Sequence, residues 1–133
     1  MTTELYWLTL TVLMTGLFWA TYLLDRIAVR GMWLTLANPQ PETDAPHSPW
    51  AQRAIRAHAN AVENLVIFAP AVLTAHVLSI SSPATRAGAA AYFFARLVHF
   101  IVYAAGIPVA RTLAFAVGWA AQLVILASIL RWI

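Results

Sequence analysis

The chain contains no cysteine and no lysine. Without cysteine it can form no disulfide, hold no metal through thiolates and offer no cysteine nucleophile, so any thiol chemistry must use a thiol brought by a substrate. Charge is also scarce. Only 10% of the 133 residues are charged while 62% are hydrophobic, and a soluble domain carries charge on about a quarter of its residues. This composition describes an integral membrane protein. The eight basic residues are all arginine and form neither a run nor a basic face interleaved with aromatics, which excludes nucleic acid as a partner. No internal repeat is present.

Leu5 to Leu24 is free of charge and long enough, as a helix, to cross a bilayer. The residues before it are Met-Thr-Thr-Glu4, not the basic leader of a cleaved signal peptide, so a retained first transmembrane helix is expected. Asp25, Arg26 and Arg30 follow on its last turns. Asn38 to Pro49 holds four prolines and forms the one long loop, with His47 expected to be a solvated loop residue. Trp50 then opens a helix that stays apolar after its first turns and carries Pro70 within it. Ser79-Ile-Ser-Ser-Pro83 and Gly106-Ile-Pro108 are short turns. The expected helices span residues 4–34, 50–80, 84–106 and 109–132 of a single domain, 1–133. Four spans with one long and two short connections make an all-α, up-down four-helix membrane bundle. Arg26, Arg30, Arg53, Arg56 and Arg111 fall on one side against Arg86 and Arg131 on the other, so both termini are expected to face away from the cytosol.

The most informative stretch is Arg53-Ala-Ile-Arg56-Ala-His58-Ala-Asn60-Ala-Val-Glu63-Asn64, which runs directly into the apolar segment Leu65–Leu73. Arg56, Asn60, Glu63 and Asn64 share one helical face. Polar groups carried to membrane depth mark a functional site by default. The next helix carries Arg96, His99 and Tyr103 on a face of its own. Counted from Gln52 and Gly106 at the helical rise, Arg56 and Tyr103 lie about 5 Å deep, Asn60 and His99 about 11 Å, and Glu63 and Arg96 about 16 Å. The two stripes can therefore meet in layers, with Glu63 and Arg96 expected as a structural ion pair. Such a pocket, rich in cationic and hydrogen-bonding donors around one carboxylate, suits an anionic ligand that also bears an ammonium group. Glutathione has that chemistry. His76 and His99 lie at different depths and cannot form an axial haem pair, and no metal is expected. His58 is expected to make a structural hydrogen bond, His76 to sit in the core or at a subunit interface, and Trp119 and Gln122 to face lipid or a neighbouring subunit.

Arg53-x-x-Arg56-Ala57-His58-x-Asn60-x-x-Glu63-Asn64 with Phe68, Arg96-x-x-His99-x-x-x-Tyr103 with Pro108 and Arg111, and Ala37-Asn38-Pro39 resemble the MAPEG family, the membrane-associated proteins of eicosanoid and glutathione metabolism. The similarity spans nearly the whole chain and is greatest to short bacterial members. It implies a homotrimer in the bacterial inner membrane, surrounded by lipid, with glutathione as co-substrate bound between subunits near the cytosolic side. The implied glutathione contacts are Arg30, Arg56, Asn60, Glu63, His99, Tyr103 and Arg111. Arg111 and Thr112 take the places of the catalytic arginine and its neighbouring hydroxyl. A guanidinium beside a thiol, and the N-terminal dipole of the fourth helix, both favour the thiolate.

The expected activity is a glutathione-dependent transferase or peroxidase that acts on a hydrophobic small molecule entering from the bilayer. Ala59 and Phe115 stand where eicosanoid-type members carry an arginine and a tyrosine, which motivates a second reading: a non-catalytic protein of the same fold that binds a lipid or a partner helix. A four-helix multidrug exporter is the weakest alternative, because its essential carboxylate would lie within the first span and Leu5 to Leu24 has none.

Overall fold

The computed structural model describes all 133 residues, which form six helices and the segments between them. These are α1 (Thr3–Leu17), α2 (Trp19–Arg30), α3 (Met32–Leu36), α4 (Pro49–Val77), α5 (Pro83–Ala105) and α6 (Pro108–Ile129). Taken together, α1 and α2 make one span, Thr3–Arg30, and with α4, α5 and α6 they give four segments long and apolar enough to cross a membrane. The result is an all-helical up-down bundle.

The single helix expected over residues 4–34 is interrupted twice. At Phe18 the helix tightens, its amide bonding three residues back to the Thr15 carbonyl, while both the amide and the hydroxyl of Thr21 donate to the Phe18 carbonyl. A threonine hydroxyl that competes for a helix carbonyl in this way bends the helix. At Gly31, φ is 79°, a left-handed value that ends α2 and leaves α3 as a short separate helix. The other three helices each begin with proline, whose missing N–H is one the first turn could not have used. Ser82 and Thr85 add a reciprocal capping box at the start of α5. Gly106 ends α5 with φ 81°, and Arg53 Nε donates to the Ala104 carbonyl across this terminus at 2.9 Å.

Packing centres on α4 and α5. The buried face of α4 reads Ala51, Ala54, Ala57, Ala61, Asn64, Phe68, Ala71 and Ala75, a three-and-four spacing of mostly small side chains that lets neighbours approach closely. Two apolar clusters result. In one, Phe68 stacks on Tyr92 with ring centroids 3.7 Å apart, among Leu8, Val72, Ala121 and Ile125. In the other, Phe18 stacks on Phe100 at 3.8 Å above Ala54, Ala57 and Ala61. Between them along α4, α5 and α6 lie Asn60, Asn64, Arg96, His99 and Gln122, which form a polar layer within the bundle.

The proline-rich loop is tied to the bundle rather than solvated throughout. Asp25, buried on α2, accepts from His47 Nδ1 and from the backbone N–H of Ser48, each at 3.0 Å. Arg30 pairs with Asp44 at 2.9 Å and donates from Nε to the Ala45 carbonyl. His47 is thus a fastening residue, because a buried carboxylate requires donors and the loop supplies them.

Candidate functional site

The polar layer begins with Asn60, one turn before Asn64 on α4. The Asn60 side-chain carbonyl accepts from Arg96 Nη2, and Asn64 Nδ2 donates to the Asn60 backbone carbonyl at 2.8 Å. Gln122 Nε2 reaches Asn64 Oδ1 at 3.4 Å, which joins α6 to the same chain of bonds. Gln122 is therefore an interior residue of the bundle and, contrary to expectation, faces neither lipid nor a neighbouring subunit; an amide on an apolar helix is stable there because a second amide meets it. Trp119 is exposed, on the outer face of α6.

Arg96 is only 1% exposed, and no carboxylate lies within ion-pairing distance of it. The expected Glu63–Arg96 ion pair does not form within the chain. Glu63 points outward and is exposed, whereas Arg96 turns to Asn60, and its Nε and Nη1 find no protein partner. The physical reason is rotation about the α4 axis: Asn60 and Glu63 differ by about 60°, and the face that α4 buries includes Asn64 and not Glu63. Gly118 on α6 lies against the Arg96 side chain. A Cβ at that position would sit 3.4 Å from Arg96 Cδ.

Toward the α5–α6 turn, this layer opens into a cavity of about 270 Å³ lined by Asn60, His99, Tyr103, Arg111, Thr112 and Phe115. Five of the expected site residues converge here. Arg111 sits over the Tyr103 ring with Cζ 4.5 Å from the centroid, a cation–π contact that holds the guanidinium at the cavity. His99 lies edge-on to Tyr103, with centroids 5.5 Å apart, and its Nδ1 is buried without a protein partner. The Thr112 hydroxyl donates back to the Pro108 carbonyl at 3.1 Å, within its own helix. No carboxylate lines the cavity, while Arg111 contributes a charge at its wall and Arg96 another behind it. The site favours an anion.

Three expected contacts are not at this cavity. Arg30 is engaged with Asp44 and Ala45, and Arg56 and Glu63 lie exposed along one edge of α4. Arg53 is likewise structural, through its bond to the end of α5. His58 makes the structural hydrogen bond expected of it, with Nδ1 2.9 Å from the Tyr22 hydroxyl. His76 is exposed at the opposite end of α4 and is not in the core. No group of histidine and acidic residues is arranged to hold a metal ion.

Comparison with curated proteins and with solved structures finds no match to this chain. The MAPEG family model matches residues 5–131, nearly the full length, and these residues include all four spans except the first two residues of the first, and every wall of the cavity beside Arg111. This chain, a four-span helical membrane protein with a cationic cavity at one end, belongs to the MAPEG family.

Proposed function

We propose that the protein is a membrane transferase that activates the thiol of glutathione and delivers it to a hydrophobic electrophile from the bilayer. The observation that carries this reading is the convergence of Asn60, His99, Tyr103 and Arg111 on one carboxylate-free cavity, in a chain with no thiol of its own. Glutathione, a peptide with two carboxylates, an amine and a thiol, fits such a donor set. Arg111 can accept a carboxylate or stand beside the sulfur, and His99 and Asn60 supply hydrogen bonds to the peptide. The thiol loses its proton to solvent, and the thiolate, favoured by the guanidinium and by the N-terminus of α6, forms the new carbon–sulfur bond while the electrophile's leaving group departs with the electron pair of its bond to that carbon, as chloride does from chlorodinitrobenzene.

At about 270 Å³, the cavity of a single chain lies below the usual range of ligand pockets, roughly 300–1,000 Å³. A neighbouring subunit supplies the remaining wall in the homotrimer we envisage. The exposed Arg56 and Glu63 favour this arrangement, since charged side chains in a span are costly against lipid and face protein instead. In this reading Glu63 provides the carboxylate for the glutathione amine, and Arg30 holds the loop near the site without touching the ligand.

Ultraviolet difference spectroscopy of the purified protein with glutathione at neutral pH tests the proposal. A thiolate absorbance and conjugation of chlorodinitrobenzene are expected, both reduced about a hundredfold by Arg111→Ala, the scale for losing one positioned stabilising donor. Thr112→Ala is expected to change turnover much less, because its hydroxyl serves its own helix. Absence of both signals in the wild-type protein favours the second reading, a lipid-binding protein of the same fold, for which Phe115 in the cavity wall supplies an apolar surface.

A further inference from the structure

The end of the bundle opposite Arg111 contains a second polar cavity. Glu4, on the first turn of α1, is 3% exposed although it carries a carboxylate. Its Oε1 accepts from Thr85 Oγ1 at 2.6 Å and from Ser81 Oγ at 2.9 Å, so one oxygen is satisfied by the start of α5 and the turn before it. Oε2 is equally shielded and has no hydrogen-bond partner. No cation pairs with this carboxylate: the ion pairs of the chain are Arg30–Asp44 and His47–Asp25, and Arg86 nearby is exposed. Glu4 borders a cavity of about 240 Å³ whose other polar walls are Thr2, His76, Ser79 and Ser81, with Ile80 on the apolar side. Asn60 and His76, one in the wall of each cavity, are sixteen residues apart on α4, about 24 Å at the helical rise, so this cavity is separate from the one at Arg111.

An idle carboxylate oxygen, sealed from water and beside a cavity, calls for a charged donor. The walls decide which kind. They offer hydroxyls and an imidazole around the carboxylate, which match the several N–H donors of a primary ammonium. No aromatic residue lines the cavity, so the cage that selects a quaternary ammonium is missing. The cavity lies where the start of α1, the end of α4 and the turn before α5 meet, at the end of the spans and therefore at the depth of lipid headgroups.

We infer that this cavity binds a primary ammonium group, with Glu4 as its counter-ion and the hydroxyls of Thr2, Ser79 and Ser81 as accessory acceptors. The group comes either from an aminophospholipid of the surrounding leaflet or from a free amine in solution.

The test is lipid retention measured by native mass spectrometry on the full chain released from nanodiscs. The discs contain equal parts of phosphatidylethanolamine, its N-methyl and N,N-dimethyl forms, and phosphatidylcholine. Retention is expected to fall with each added methyl, the primary amine exceeding the quaternary one by about tenfold, the scale of one charge-assisted hydrogen bond. Glu4→Gln, which keeps the side-chain shape, is expected to flatten the series. Soluble glycerophosphoethanolamine that displaces the lipid identifies a free amine as sufficient, and failure to displace assigns the bilayer as the source. A flat series in the wild-type protein overturns the inference, as does an undiminished preference in folded Glu4→Gln. Should the variant not fold, the wild-type series alone decides.

Discussion

Arg96 and Glu63 show how far a single side chain's role depends on helix rotation. Both lie in membrane spans and at matching depths, yet Arg96 bonds to Asn60 and Glu63 faces outward. Breaking a buried ion pair costs about 3–5 kcal/mol because the surviving charge is left unpaired. Since no such pair exists within the chain, Glu63→Gln is expected to leave thermal unfolding close to wild type while raising the KM for glutathione. Differential scanning fluorimetry and initial rates measure the two effects separately. A large loss of stability together with an unchanged KM would place Glu63 in the structural role that the sequence alone suggested. Asn60, His99 and Tyr103 were legible as candidate site residues from spacing, because polar groups repeated at three and four positions in an apolar span must share a face, whereas Arg111, alone at the start of its helix, drew its role from the family resemblance. Gln122 was not, since one amide in an apolar helix shows no period and its partner Asn64 is 58 residues away.

Helices end where local chemistry says they should: at Gly31 and Gly106, and beginning at Pro49, Pro83 and Pro108. Loop attachment is different. Asp25 gathers His47 and the backbone N–H of Ser48, the N-cap of α4, so the long loop, α2 and α4 are fastened at one buried carboxylate. Asp25→Ala removes the carboxylate acceptor of two hydrogen bonds and is expected to destabilise the fold by about 2–3 kcal/mol. The same change should make the segment between Gly31 and Ser48 more sensitive to limited proteolysis, with cleavage there preceding any in the spans. Unaltered cleavage rates would show that Arg30 and Asp44 hold the loop unaided. Nothing in the sequence distinguished His47 as fastened from His47 as solvated, because its partner lies on another element.

For the whole molecule, the balance of exposed and buried polar groups points beyond one chain. Arg56 and Glu63 are exposed on a spanning helix, and the cavity beside Arg111 is small and open for a tripeptide. Solution mass in detergent, corrected for bound detergent, is expected to be three times the 14.6 kDa of the chain. Coexpression should add a complementation test. Mixed assemblies of an Arg111→Ala chain with a Glu63→Gln chain should recover more activity than either variant alone if the two residues meet across a subunit boundary. A monomeric mass with full thiolate formation would show that the cavity of one chain suffices.

The amino-acid sequence by itself determined the solvent, the number of spans, the up-down order and the set of residues able to build an anion site, because hydropathy, breakers and period act locally along the chain. Tertiary structure alone decided which of those residues face one another. Within an arc of about 60° on α4, Asn60 turns to Arg96 and Glu63 turns away, and that choice is set by the packing of small residues on α4 against α5. It also decided what the ends of the bundle hold: Glu4 meets Thr85 across 81 residues, a pairing that no local pattern encodes.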